Sequence, residues 1–488
     1  MRKRFEPQLL LGQKPIEKTP ISAKCKDAIE ELIASLKLLY CTKEYNEKIF
    51  SALEASLMRD KKQTGRKGMD LWQVFVLAQV RLCLGVSYDR LHNLANNHFA
   101  LRFLMGVECE AGFSRILFEY QNIYDNVSML SDDLVKELNV IVLEFGHKEV
   151  FKKKETEPSH LKTDSFVVES NVHFPTDYNL LWDCARKCLD AVSEFLEKYK
   201  DMTGWRKIQD WYYEIKGLMR ELGKASSSGG KGKNDRIISA ARKYLKKSKA
   251  LMSKLTQELP LFPIQDEEDI SLIISLEYFM LLMEKHIDLV ERRIIKGEEI
   301  PHKEKIFSIF ETYTEWVKKG KLHPNVELGK KLSITTDQFD LIVDYQIMND
   351  EQDRDIVIRL ADRLLLKYNI ESWSFDKGYW NKDNKQLLQL EIPKVIMPKL
   401  GKRNKQEDEE EKSRGFKRLK NKHSAIESNI NELEHRGLDR CPDRGIVHYT
   451  RYIGLGVCAY NLKKIGRRIL DQEREALRHS FSMRQQAA

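Results

Sequence analysis

Three acidic residues stand in contexts that suit divalent-metal chemistry. Asp164 falls inside "LKTDSFVV", a β-branched and aromatic run, where a carboxylate is costly unless paired, hydrogen-bonded or bound to a cation. Asp376 follows "SWSF" and precedes Lys377-Gly378, where a strand gives way to a turn and side chains can converge on an open site. Glu427 lies in "HSAIESNINEL", at the border of an apolar stripe formed by Ile426, Ile430 and Leu433. Two strand carboxylates and one helix carboxylate would supply hard oxygen ligands to a pair of Mg²⁺ ions. One ion would activate a water or 3′-hydroxyl and the other would stabilise the leaving oxygen, an in-line displacement at phosphorus. Taken singly, each acid is ordinary. The chain has 74 Asp and Glu, and an acid at a strand end is more often a turn or cap residue, so spacing alone does not select the trio.

The elements that must position these residues follow from periodicity. Residues 1–150 read as helical: "AIEELIASLKLL" and "MDLWQVFVLAQVRLCL" carry apolar residues at helical spacing. "SYDRLHNLA" follows a Gly-Val break, with Ser87 as a candidate cap. Helix, short turn and helix is compatible with a DNA-binding helix-turn-helix and equally with any helical bundle. Near residue 160 the pattern becomes that of a strand. A long helical tract then runs from about Tyr178 to Gly297, interrupted by "ASSSGGKGKND" (225–235), which reads as a mobile link. "KIFSIFE", "KKLSITTD" and "FDLIVDYQIM" read as strands, "DRDIVIRLADRLLLKYN" as a helix, "SWSFDKGYW" and "PKVIMPKL" as strands. The charged segment 402–422 is expected to be exposed, and two helical stretches close the chain.

Composition narrows the classes. Hydrophobic residues are 42% and charged residues 32% of 488, a globular balance rather than a disordered or membrane one. No apolar run approaches the ~20 residues needed to cross a bilayer, and the first residues lack a signal-peptide core. A cytoplasmic protein with no membrane partner is therefore expected. A net charge of +9 favours an anionic partner. The eight cysteines form no CxxC pair, and Cys184 and Cys188, one helical turn apart in an apolar pattern, read as core thiols.

The words around the acids resemble the DDE transposases of bacterial insertion sequences. "TDSFVVESNVHFPTDYNLLWD" (163–183) is similar to that family's first-aspartate block, "SFDKGYW" (374–380) to its second, and "HSAIESNINELEHRGLDRCPDRG" (423–445) to its glutamate helix. The stretches 310–335, 451–468 and 64–106 resemble, in turn, its approach to the second strand, its closing helix and its N-terminal helical domain. The resemblance implies an α+β fold: an RNase H-like mixed-sheet catalytic domain over 155–488, with a helical insertion at 178–298 between its first and second strands. A helical DNA-binding domain over 1–150 would precede it. It implies Asp164, Asp376 and Glu427 as catalytic residues and ligands of two Mg²⁺ (or Mn²⁺) ions per active site. The expected partners are double-stranded DNA, as terminal inverted repeats and target, and further copies in a homodimer or higher assembly on DNA. Such a protein would be nucleoid-associated when on DNA.

Phosphate contacts are expected from Lys417, Arg418, Lys420, Lys422, His423, Arg436, Arg440 and His173. Where some relatives carry a basic residue seven positions after the glutamate, this chain has Glu434. Glu311 and Glu315 read as a solvated helix face. The basic cluster at 242–249 suits phosphate contact or a solvated face equally, and Trp182, Trp205 and Trp211 read as core. Two other functions stay open: a nuclease of the same fold without strand transfer, and a non-catalytic DNA-binding protein.

Overall fold

A computed structural model of the chain describes residues 3–4, 12–58, 68–110, 115–318 and 325–486, the last seven as backbone only. Residues 64–67 and 319–324, which belong to two of the stretches read above as resembling the family, lie outside the described residues. The helices before the sheet are α1 (Ala28–Cys41), α2 (Lys43–Leu57), α3 (Leu71–Leu84), α4 (Tyr88–Asn97), α5 (Phe99–Leu104), α6 (Tyr120–Ser128) and α7 (Asp132–Phe145). Strand β1 (Ser159–Glu169) is followed by α8 (Asp177–Lys198), α9 (Ile208–Ser227), α10 (Lys233–Glu258) and α11 (Glu267–Val290). Then come β2 (Glu315–Lys318), β3 (Val326–Thr336), β4 (Ile342–Ile347), α12 (Val357–Leu365), β5 (Ile370–Phe375), α13 (Lys382–Glu391) and β6 (Lys394–Ile396). Helices α14 (Lys405–Lys412), α15 (Arg414–His423), α16 (Ala425–Leu433) and α17 (Ile446–Gln486) complete the chain.

The fold is α+β with a mixed six-stranded sheet. Strands β3 and β4 run antiparallel to their neighbours, whereas β1, β5 and β6 are parallel, in the order β4-β3-β1-β5-β6. The short β2 also joins β3. In the central strand β1 the consecutive apolar residues Phe166, Val167 and Val168 are all buried, so both faces of the strand are covered there.

Two compact units emerge: Met1–Asn171 with Val317–Ala488, and Val172–Trp316. The expected helical insertion thus falls within the second unit. The boundary expected near residue 150 does not divide the chain, because α17 packs against α1, α3 and α7 and ties the first helices to the sheet unit. The approach of α17 to α1 is close enough that a Cβ at Gly466 would come within 1.6 Å of the Glu31 carbonyl oxygen. A buried ion cluster sits beside it. Lys463 bonds Glu432 of α16 and lies 3.4 Å from Glu31 of α1, which also accepts from Arg467 at 2.9 Å. Burial alone would raise the Glu432 carboxyl, but Lys464 and Lys463 bring it down to about 2.

The second unit has its own core, with Leu181, Cys184, Cys188, Phe195, Trp205, Tyr244 and Met283 all buried. Trp182 is buried as well, Trp211 is half-buried, and the link between α9 and α10 is shortened to 228–232 because α9 runs through Ser227. Elsewhere, Ser87 caps α4 as expected, its side chain accepting from the Arg90 amide.

Two local expectations fail. "KIFSIFE" is not a strand, and Glu311 is not on a solvated helix. Ser308 Oγ accepts from the Phe310 and Glu311 amides at 3.2 and 2.9 Å, and such a hydroxyl turn competes with regular structure. Glu311 is buried beyond it.

Candidate active site

Parallel pairing of β1 with β5 ends at Thr163 opposite Phe375, so Asp164 and Asp376 occupy the next positions on adjacent strands. Trp373 locks this register from below, its indole N–H donating to Thr163 Oγ1 at 2.7 Å. On the other side Asp164 faces Ile334 of β3. Asp376 caps the short turn Lys377–Tyr379 and is exposed. Glu427 lies in the first turn of α16, whose Ile426, Ile430 and Leu433 are buried, leaving the glutamate exposed at the stripe's border.

Asp164 senses the other two carboxylates. Burial pushes the Asp164 carboxyl up to about 7 against the pull of the Ser165 amide, and the charges of Asp376, Asp353 and Glu427 push it the same way. Like charges gathered around a half-buried acid disfavour its ionisation, and a cation would reverse that preference. Asp164 Oδ1 accepts from the Ser165 amide at 2.7 Å. The carboxylates of Asp376 and Glu427 make no hydrogen bond or ion pair among the described residues, so their oxygens are available as ligands. No group of three His, Cys, Asp or Glu among the described residues could hold one ion as the side chains stand. Asp376 and Glu427 are both exposed, so the three carboxylates would have to be drawn together by a bound ion. The donor set, carboxylate oxygens alone, matches Mg²⁺ or Mn²⁺.

Sequence reasoning missed Asp353. It lies between β4 and α12, accepts from Ser165 Oγ at 2.7 Å and from Lys331 Nζ at 3.2 Å, and abuts the turn after Asp376: a Cβ on Gly378 would come within 2.9 Å of its Oδ2. The only signal was an acid in the loop "NDEQDRD", where six acidic or amide residues offer no way to choose. Buried Tyr379, bonded to Ser333 at 3.0 Å, closes the floor; burial and the charge of Asp353 raise its phenol.

The expected phosphate-binding residues divide sharply. Lys417, Arg418, Lys420 and Lys422 are exposed on α15, directly before the glutamate helix, with no ion pair among the described residues. The others are already engaged. His423 is only 9% exposed; its Nδ1 is 3.0 Å from Ser374 Oγ, and burial pulls the imidazole down to about 4 against the attraction of Asp376. Arg440 donates to Glu169 at 3.1 and 2.5 Å. Arg436 is half-buried against Leu82 and Cys83. His173 lies in the second unit, 3.3 Å from Asp183. There the basic cluster 242–249 is largely spent on ion pairs: Lys243 with Glu221, Lys247 with Glu214 and Lys249 with Glu291. No helix among the described residues is long and apolar enough to cross a membrane.

Comparison of the chain with models of known families, with curated proteins and with solved structures gave no match.

Proposed function

We propose that this chain is a metal-dependent DNA strand-transfer enzyme, a transposase that cuts at the terminal inverted repeats of its element and joins the freed 3′-hydroxyls to target DNA. The observation that carries the reading is a half-buried Asp164 whose carboxyl is pushed up first by burial and then by the charges of Asp376, Asp353 and Glu427. Support comes also from the sheet. Three antiparallel strands followed by two strands parallel to the first, ordered β4-β3-β1-β5-β6 with the helical unit after the first strand, are compatible with the RNase H-like core that the resemblance implies.

In this reading Asp164, Asp376 and Glu427 hold the ions, and Asp353 orients the Asp164 strand through Ser165. Bound Mg²⁺ or Mn²⁺ supplies a more acidic attacking hydroxyl and neutralises charge at the leaving oxygen. The exposed lysines and arginine of α15 bind the DNA backbone, releasing counterions and fixing the scissile phosphate near the carboxylates. Hydrolysis at the ends and transfer of the 3′-hydroxyl use the same groups, since both are displacements at phosphorus.

The test is incubation of the purified chain with DNA carrying the element's ends, with Mg²⁺ or Mn²⁺ and with chelator. Cleaved and joined products that require metal are expected. Cleavage without joining would identify a nuclease of this fold, and binding with no metal-dependent cutting would identify a non-catalytic DNA-binding protein.

A further inference from the structure

Helix α11 carries apolar side chains on two sides. One side, with Leu276, Met280, Met283 and Ile287, is buried in the core of the helical unit. The other carries Ile270, Ile274, Tyr278 and Leu281, which are 49%, 62%, 41% and 65% exposed. At 3.6 residues per turn these four fall within an arc of about 80°, so they form one stripe along the helix. A helix that is apolar all round is ordinarily buried all round, and a contiguous exposed stripe marks an interaction surface.

We propose that this stripe pairs with the same stripe of a second copy of the chain, the two α11 helices antiparallel about a two-fold axis at residue 276. The sequence of the helix is self-complementary about that point. Two positions either side, Ile274 meets the partner's Tyr278. Further out, Ile270, six positions before the axis, comes beside the partner's Leu281, five positions after it. Nine positions either side, Glu267 meets the partner's Lys285, and both lie on the same arc as the stripe. Their neighbours are occupied within the unit: Lys198 lies 4.0 Å from Glu268 and 2.7 Å from Asp269, and Asp288 pairs with Arg292. Glu267 and Lys285 have no ion pair among the described residues and are exposed. The two-fold satisfies both twice, and antiparallel helix dipoles favour the same arrangement. Surplus charge of both signs at matching distances from the centre argues for a second copy rather than a lipid surface, which would select for basic residues alone. This inference does not depend on the carboxylate site.

Sedimentation of the full chain across the micromolar range tests the proposal. A concentration-dependent dimer is expected, abolished in Ile274→Glu. Glu267→Lys and Lys285→Glu should each weaken self-association by about tenfold or more, because each sets like charges face to face twice. An equimolar mixture of those two variants should recover the wild-type dimer, since only the heterodimer restores both contacts. These positions are exposed, so circular dichroism should be unchanged in all variants. A strictly monomeric wild-type chain, a dimer indifferent to Ile274→Glu, or no recovery in the mixture would each overturn the proposal. Flotation with anionic vesicles that is lost in Ile274→Glu would assign the stripe to lipid instead.

Discussion

Asp164 is half-buried, bears one amide hydrogen bond and is surrounded by three acids. Its folded value of about 7 lies above that of a free aspartate, so the native state holds the proton more tightly than the unfolded chain. Stability from this group is complete below about pH 4 and is lost as pH rises towards 7. In chelator, Asp164→Asn should therefore be more stable than wild type at pH 7 to 8, by up to about 4 kcal/mol, and no more stable near pH 4. Denaturant titrations at the two pH values check this; equal stability at neutral pH would show that the acid is not held protonated. The same substitution, with Asp376→Asn and Glu427→Gln, should lower metal-dependent cleavage by at least about 10²-fold while leaving DNA binding intact. Asp353→Asn should lower cleavage less, since that side chain acts through Ser165. Near-wild-type cleavage by any of the first three would remove that residue from the site.

At the scale of elements, α17 is the beam on which the sheet unit rests. Tyr449, Ile453, Cys458, Leu462 and Ile465 are buried along it, and burying each side chain of this size contributes about 1.5–3 kcal/mol. Deleting residues 1–110 would strip α1 and α3 from that face, so the truncated chain is expected to aggregate or lose its cooperative melt. Gly466→Ala makes the same point more gently. Its Cβ meets a backbone oxygen that cannot step aside, and a melting-point drop equivalent to about 1–3 kcal/mol or more is expected. The sequence made β1, β5, α12 and α16 legible because each has a clean period and punctuated ends. The stripe Ile426–Ile430–Leu433 even announced which way Glu427 would face. What stayed hidden depends on distant partners: Asp353 is chosen by Ser165 and Lys331, the burial of His423 by Ser374, and the pairing of Arg440 by Glu169. The union of the first helices with the sheet was hidden for the same reason, since Glu31 meets Lys463 and Arg467 only across the whole chain.

For the whole molecule, the chain divides into two compact units. Unit Val172–Trp316 has its own core, so residues 172–316 expressed alone should give a helical spectrum and a single melting transition; a non-cooperative melt would show that it needs the rest of the chain. The sheet unit carries the carboxylates and the basic α15, and the proposed chemistry rests there. In the proposed site, divalent cations draw the exposed Asp376 and Glu427 towards Asp164. Anomalous diffraction from crystals of the chain soaked in Mn²⁺ tests it most directly. Peaks bridging Asp164 to Asp376 and Glu427, lost in Asp164→Asn crystals, are the predicted result. Mn²⁺ bound only elsewhere, or these three carboxylates still apart at saturating metal, would contradict it.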